Sequence, residues 1–305
     1  MNLNSLNKKQ SGLIFLIVYG FSMLLGAVVA FLGSRYTSNP ILTILIADVM
    51  MTLVVFIIGS IIRNASLYDP YWSVIPLFFL IIYTISFNGF MLPSNSIFMI
   101  IVVGLWSIRL TYNWWKNWTG FAEQDWRYDM LKEKSPKLYP ITNLFGIHLI
   151  PTIVVFLQMI NMVEVIRYST TNFIFYIGVF IALLSPIFQH FADKQMYEFR
   201  QNNKSKEKVI NVGLWRFTRH PNYFGEIILW VGIYVMYFSY VKVIDINIIY
   251  PISMILLFVF ISIPMMENKL IDRPGYKEYK KQVSMLIPFF PKKIEESSEV
   301  IEEKA

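Results

Sequence analysis

The chain has 305 residues, of which 55% are hydrophobic and only 15% charged, and a mean hydropathy of +0.50. Soluble domains carry about 25% charged residues, so the composition excludes a soluble protein and points to the membrane class. There is no cysteine, which removes disulfide frameworks, thiolate metal sites, iron–sulfur clusters and cysteine nucleophiles, and the net charge of +7 is a question of where the charges fall.

Crossing the hydrocarbon takes about 20 apolar residues, and eight stretches meet that length. In chain order they are Ser11 to Gly33, Ile41 to Ile62, Trp72 to Leu92, Ile97 to Trp115, Ile141 to Val163, Asn172 to Phe191, Tyr223 to Tyr240 and Ile246 to Met266. The first follows Lys8 and Lys9 but is too long for a signal h-region, so it reads as a retained anchor. With alternate loops on opposite sides, 23 of the 27 Lys and Arg residues fall on one side, which predicts cytoplasmic termini and leaves nucleic acid without a role. The expected fold is all-α: a polytopic membrane helix bundle of about eight spans. Its water-soluble parts are the loops Lys116 to Pro140 and Lys194 to Asn222 and a tail from Glu267, of which the acidic Ile294 to Ala305 lacks periodicity and reads as disordered.

Polar groups inside spans are costly and mark candidate sites. Asp48 stands alone in the second span, with a structural and a functional reading equally open. Arg109, in the fourth, has a pairing partner in Asp69 or an anionic ligand, or snorkels to the nearby surface. Asp69-Pro-Tyr-Trp72 forms a polar and aromatic knot at the start of the third span.

The richest stretch is Gly213-Leu-Trp-Arg-Phe-Thr-Arg-His-Pro-Asn-Tyr-Phe-Gly-Glu226. Pro221 suits the first turn of a helix, which leaves Arg219 and His220 before a positive dipole end, an anion-binding geometry. Asn222 and Glu226 are four apart and share a helix face. Upstream, Asp193, Tyr197 and Arg200 form a second helical stripe, followed by Lys204, Lys206 and Lys208, whose competing reading is contact with anionic lipid. A third cluster runs from Glu267 through Arg273-Pro-Gly-Tyr276 and Tyr279 to Leu286-Ile-Pro-Phe-Phe290, either covering a pocket or forming an interfacial belt. Gly-x-Gly is absent, so there is neither a Rossmann fingerprint nor a Walker loop, and three scattered histidines do not make a zinc hydrolase.

Arg219-His-Pro-Asn-Tyr-Phe-Gly-Glu226 resembles the signature of the steroid 5-alpha-reductase superfamily, in particular its bacterial branch. Asn64-Ala-Ser-Leu-Tyr-Asp-Pro-Tyr-Trp72, Arg109-Leu-Thr, Gln124-Asp-Trp-Arg-Tyr128, Asp193 with Arg200, and Ile263-Pro-Met-Met-Glu267 through Ile287-Pro-Phe resemble it too, in the same order. This divides the chain into N-terminal helices (1–62), a reductase-like catalytic domain (63–291) and the acidic tail (292–305). The resemblance implies an NADPH-dependent reductase of an activated carbon–carbon double bond in a steroid-like lipid drawn from the bilayer, without a metal. It implies an NADPH site at Asp193, Arg200, Arg219, His220, Asn222, Tyr223, Glu226 and Tyr279. It further implies an acidic residue at Asp69 orienting the enone, and substrate contacts from Trp72, Trp106 and Arg109. The family's ketone-binding tyrosine corresponds to Trp106 here, which leaves Tyr71, Tyr112 or a protonated Asp69 as proton donor. The implied location is the bacterial inner membrane, or the endoplasmic reticulum in a eukaryote.

Two other readings stay open. Arg219-His-Pro221, Tyr223 and Gly225 satisfy equally the pattern of isoprenylcysteine carboxyl and phospholipid methyltransferases, which hold S-adenosylmethionine. A lipid-binding protein that kept the fold without the chemistry is the non-enzymatic reading.

Overall fold

The computed structural model describes residues 6–89, 91–203 and 208–292. Lys204, Lys206 and the acidic stretch 293–305 lie outside the described residues. Among those described the regular structure is helical, with no strand, and eight helices are long and apolar enough to cross a membrane. The chain is a multi-pass integral membrane protein.

The helices are α1 (Lys8–Tyr36), α2 (Pro40–Ile62), α3 (Tyr71–Asn88), α4 (Ser94–Asn117), α5 (Trp126–Lys134), α6 (Tyr139–Thr142), α7 (Ile150–Ile166), α8 (Phe173–Asn202), α9 (Pro221–Val241), α10 (Ile249–Leu257), α11 (Ile263–Leu270) and α12 (Tyr276–Gln282). Their limits follow local chemistry. Asn7 caps α1 in a reciprocal box with Gln10, which draws Lys8 and Lys9 into the first turn. Asn39 caps α2, with Pro40 at its first position. A 3-10 turn, Ala65–Tyr68, leads through Asp69 and Pro70 into α3, and a π-turn, Asn143–Leu149, leads into α7. The sixth span exceeds its expected end at Phe191: α8 runs on to Asn202, with Lys194 and Glu198 paired one turn apart at 3.9 Å. Asp193, Tyr197 and Arg200 therefore share one helix, as their spacing predicts, and that helix takes up the first part of the loop expected from Lys194.

Two compact units share this chain, residues 1–186 with 228–257 and residues 187–227 with 258–305. Of the three changes of unit, the one in α8 follows Pro186 and the one after α10 begins a second π-turn, Phe258–Ser262, so these two coincide with irregular helix, while the third, between Ile227 and Ile228, falls within α9.

In the first unit α1 packs on α2, α3 on α4 and α7, and α7 on α2 and α10. Ala47, Met51, Val55, Leu67, Val102, Leu229 and Met236 are wholly buried, while Leu16, Phe21, Leu24 and Phe31 of α1 present apolar surface, as lipid contact requires. Gly178 and Ala182 of α8 meet Gly232 and Met236 of α9 nearly backbone to backbone. A Cβ added at Gly232 would lie 2.6 Å from the Ala182 amide nitrogen, and one at Gly178 2.6 Å from that of Met236. Small residues are what permit such an approach between membrane helices. Gly232→Val should therefore lower stability by about 1–3 kcal/mol or more through overpacking, and Gly20→Val, where a Cβ meets nothing, should not. Thermal unfolding in detergent checks this, and equal stability of the two variants would refute the close crossing.

The second unit holds the end of α8, the segment 208–220, the start of α9, and α11, α12 and the chain to Lys292. The Trp215 indole donates to the Ala192 carbonyl (3.0 Å) and the Leu214 amide to Gln195 Oε1 (2.9 Å). Thr218 bridges to Ser284, and the Phe289 amide donates to the Phe217 carbonyl at 2.9 Å. The tail segment thus lies along the residues that precede α9.

Candidate functional site

Each unit carries one concentration of the residues singled out by sequence. In the first, the turn ending at Asp69 is sewn to the segment 118–125. The Asn64 side-chain amide donates to the carbonyls of Phe121 and Glu123 (3.2 and 3.0 Å), Gln124 Oε1 accepts from the Ala65 amide (2.6 Å), and Ser66 Oγ accepts from the Asp125 amide (2.9 Å). This brings α5 beside α3, and the Tyr128 hydroxyl donates to Asp69 Oδ1 at 2.7 Å. Asp125, held by Arg127 at 2.8 Å, lies within electrostatic reach of Asp69. Burial, and then the Asp69 carboxylate, push the Tyr128 phenol well above its ordinary value, so it stays protonated as a donor.

Two of the expected proton donors are placed elsewhere. The Tyr71 hydroxyl donates to Asp48, to Oδ1 at 2.8 Å and the carbonyl at 3.0 Å, so its single proton is already committed. Tyr112 is 65% exposed, on a face of α4 away from the buried core. The phenol against Asp69 is Tyr128, which sequence reasoning quoted within a motif but gave no role. Trp106 is fully buried, edge-on to Trp230 (5.2 Å) and to half-buried Trp72 (6.3 Å), and Arg109 lies half-buried three residues further along α4. The two tryptophans expected at the substrate are thus in one aromatic cluster.

In the second unit α9 begins at Pro221, as expected. Arg219 and His220, however, do not leave open donors before it. The Arg219 amide donates to the Ser284 carbonyl (2.9 Å) and the His220 amide to Thr218 Oγ1 (3.3 Å). Arg219 is 8% exposed; its Nε donates to Glu267 Oε1 (2.8 Å) and its Nη1 to the carbonyls of Lys280 and Val283. It is a clasp between α9 and the tail rather than an available phosphate ligand. Glu267 also takes Lys280 Nζ at 2.7 Å and His220 Nε2 at 3.3 Å. Burial lowers the His220 pKa and outweighs the nearby carboxylate, so the ring is neutral at pH 7 and its Nε2 carries the proton toward Glu267. Tyr279, expected at the cofactor, instead donates its hydroxyl to the Trp215 carbonyl at 2.6 Å, inside a small core with Tyr276 and Val283.

The remaining residues do gather. Glu226, 2% exposed, accepts from Gln189 Nε2 at 2.8 Å, and the same nitrogen donates to the Asn222 carbonyl at 3.2 Å. A Cβ at Gly225 would strike the Gln189 side chain, so the glycine is what lets Gln189 reach both. Gln189 Oε1 is buried and accepts no hydrogen bond from the described residues. His220 stacks on Tyr223 (5.3 Å, 4°) and Tyr223 on Phe258 (4.6 Å, 19°). Arg200 lies within electrostatic reach of both Asp193 and Arg273, two like charges held near one acid. Glu267 and Gln189 were missed as site residues; a lone carboxylate where a span meets a lysine-rich tail was the available signal for the first. No group of three or more His, Asp or Glu among the described residues could hold a metal ion.

The chain is 22% identical over 224 residues to the uncharacterised protein C594.04c of Schizosaccharomyces pombe, an overlap of 65% of this chain and 65% of that one. It thus spans about two thirds of the length of that curated relative. No solved structure matches it. The family described as a protein of unknown function, DUF1295, matches residues 55–283, which include Asp69, Tyr128, Gln189, Glu226 and Glu267, and the chain belongs to that family.

Proposed function

We propose that this protein is an integral membrane reductase of the steroid 5-alpha-reductase type, which uses NADPH to saturate an activated carbon–carbon double bond in a steroid-like lipid taken from the bilayer. The observation that carries the reading is the Gln189, Asn222 and Glu226 cluster. Its buried Gln189 Oε1 lacks a donor among the described residues, and a carboxamide N–H such as that of nicotinamide would supply one. When bound, the dinucleotide supplies a hydride. Glu226 and Gln189 would hold its amide end, and Arg200, Arg273 and half-exposed Lys280 would meet its phosphates as charge-assisted donors. Asn222, Tyr223, His220 and Asp193 complete the set, with Arg219 and Tyr279 supporting it from behind.

In the first unit the enone falls to Asp69 and Tyr128. With Asp69 protonated, its O–H donates to the Tyr128 oxygen, and the Tyr128 O–H that otherwise rests on Asp69 turns to the ketone oxygen and stabilises the negative charge that builds there. Tyr128 thereby takes the role that the family gives to the tyrosine replaced by Trp106. By the Lys and Arg distribution both termini would face the cytoplasm, in a bacterial inner membrane or, in a eukaryote, the endoplasmic reticulum membrane.

The test is mass spectrometry of membranes containing the protein, incubated with a 4-ene-3-oxo steroid and either NADPH or S-adenosylmethionine. A product about 2 Da heavier is expected with NADPH alone. Glu226→Gln and Asn222→Ala should each weaken NADPH binding without preventing insertion. Binding of S-adenosylmethionine in its place would award the site to the methyltransferases, and wild-type NADPH binding by both variants would remove the cluster from the cofactor.

A further inference from the structure

In the second unit the segment 284–292 turns much of its apolar surface outward. Val283 and Leu286 are buried, but Ile287, Phe289 and Phe290 are each 70% exposed or more, with only Pro288 among them. The segment is firmly held nonetheless. Thr218 Oγ1 donates to the Leu286 carbonyl at 2.8 Å and the Phe289 amide to the Phe217 carbonyl at 2.9 Å. The Ser284 hydroxyl donates to the carbonyls of Phe217 and Ile287, and the Lys292 amide to the Gln282 carbonyl at 2.9 Å. Pro288 and Pro291 stiffen the backbone between these bonds. The result is a fixed apolar ridge, and an exposed apolar patch of that kind marks a contact surface.

The same bonds set where the ridge sits. Phe217 lies four residues before Pro221, at which α9 begins, and α9 is long and apolar enough to cross the membrane. Four residues reach at most about 14 Å, so the backbone of Phe289 is held close to the start of a span. Glu267, near the end of the last span, joins the same place through Arg219 and Lys280. Two span ends thus fix the ridge near the headgroup layer, where aromatic side chains gather. Exposed cations flank it. Lys292 closes the segment, Lys281 adjoins the Gln282 that Lys292 bonds, and Arg216 adjoins Phe217. Apolar side chains bordered by basic ones complement a leaflet that carries anionic headgroups.

We infer that residues 284–292 form a membrane-surface anchor. Ile287, Phe289 and Phe290 enter the boundary between headgroups and acyl chains, while Arg216, Lys281 and Lys292 meet the phosphates of anionic phospholipid. The anchor pairs with residues 217–219, which also carry the Arg219 contact to Glu267, so bound lipid holds the tail against the start of α9. This assignment stands on the geometry of the second unit and does not require the reductase reading.

The chain has no cysteine, so one introduced thiol takes a label without competition. Full-length Phe290→Cys carrying a nitroxide is reconstituted in vesicles of phosphatidylcholine with phosphatidylglycerol. Its label should be more accessible to oxygen, which concentrates in the bilayer, than to a water-soluble nickel chelate. Leu16→Cys, on the exposed apolar surface of α1, should show the same order, and Glu133→Cys, exposed on the polar helix α5, the reverse. A Phe290 label that behaves like the one at 133 overturns the anchor. A label shielded from both reagents overturns it in favour of a protein partner or a second copy. Charge is read on unlabelled protein. Adding phosphatidylglycerol to phosphatidylcholine vesicles should slow chymotryptic cleavage after Phe289 about tenfold, and the double variant Lys281→Gln, Lys292→Gln should lose most of that protection. Equal cleavage in the two lipids overturns the phosphate contacts.

Discussion

Arg219→Met should cost about 3–5 kcal/mol of stability, the penalty for removing one member of a buried ion pair. Glu267 is 5% exposed, and without the guanidinium it keeps Lys280, which is largely outside, and a neutral imidazole. The carbonyls of Lys280 and Val283 lose their donor in the same step. The double variant Arg219→Met, Glu267→Leu should recover more than half of that loss, because an apolar pair of similar size needs no counter-charge. Thermal unfolding in detergent, with limited proteolysis of the segment 284–292, reports both effects. A single variant within about 1 kcal/mol of wild type would mean that the pair is solvated and that the clasp contributes little.

The second large effect is on turnover. Tyr128→Phe should lower kcat about 10²–10³-fold by removing the O–H that faces the ketone, with NADPH affinity retained. Asp69→Asn should act in the same direction and less strongly, since the amide N–H can still donate to the Tyr128 oxygen and leave its O–H for the ketone. Stopped-flow or product-formation kinetics at saturating NADPH separate the two parameters. Equal kcat in wild type and Tyr128→Phe would return the donor role to another group, and loss of NADPH binding in either variant would show that unit 1 does not act on the enone alone.

The spans were legible because hydropathy over 20 residues is a coarse and additive signal, and the expected Ile246 to Met266 and Tyr223 to Tyr240 differ from the observed helices by only a few residues. Asn222 and Glu226 were legible together because helical spacing alone puts them on one face. The donors were not. Tyr71, Tyr112 and Tyr128 all stand near aromatic, polar-flanked helix ends, and periodicity does not say which hydroxyl finds Asp69. That choice is made by Asn64, Ser66 and Gln124, whose side chains fold residues 118–125 onto the turn across nearly 60 positions of sequence. Arg219 misled for the related reason that an arginine before a helix offers the same appearance whether it awaits a phosphate or already holds a carboxylate. Only the location of Glu267, 48 residues on, distinguishes them.

The Arg219 clasp also bears on biogenesis. Its guanidinium is completed by groups on residues 267, 280 and 283, and the strand-like pairing of residues 217–219 with 284–289 comes later still in synthesis. All eight spans can therefore have entered the bilayer while the start of α9 still lacks its partners. A chain arrested by a premature stop codon shortly before residue 280 would be fully inserted yet immature at that one place, with an uncapped Arg219–Glu267 pair exposed to the cell's quality-control proteases. Messages truncated there should yield membrane-integrated protein with a short half-life rather than failed insertion.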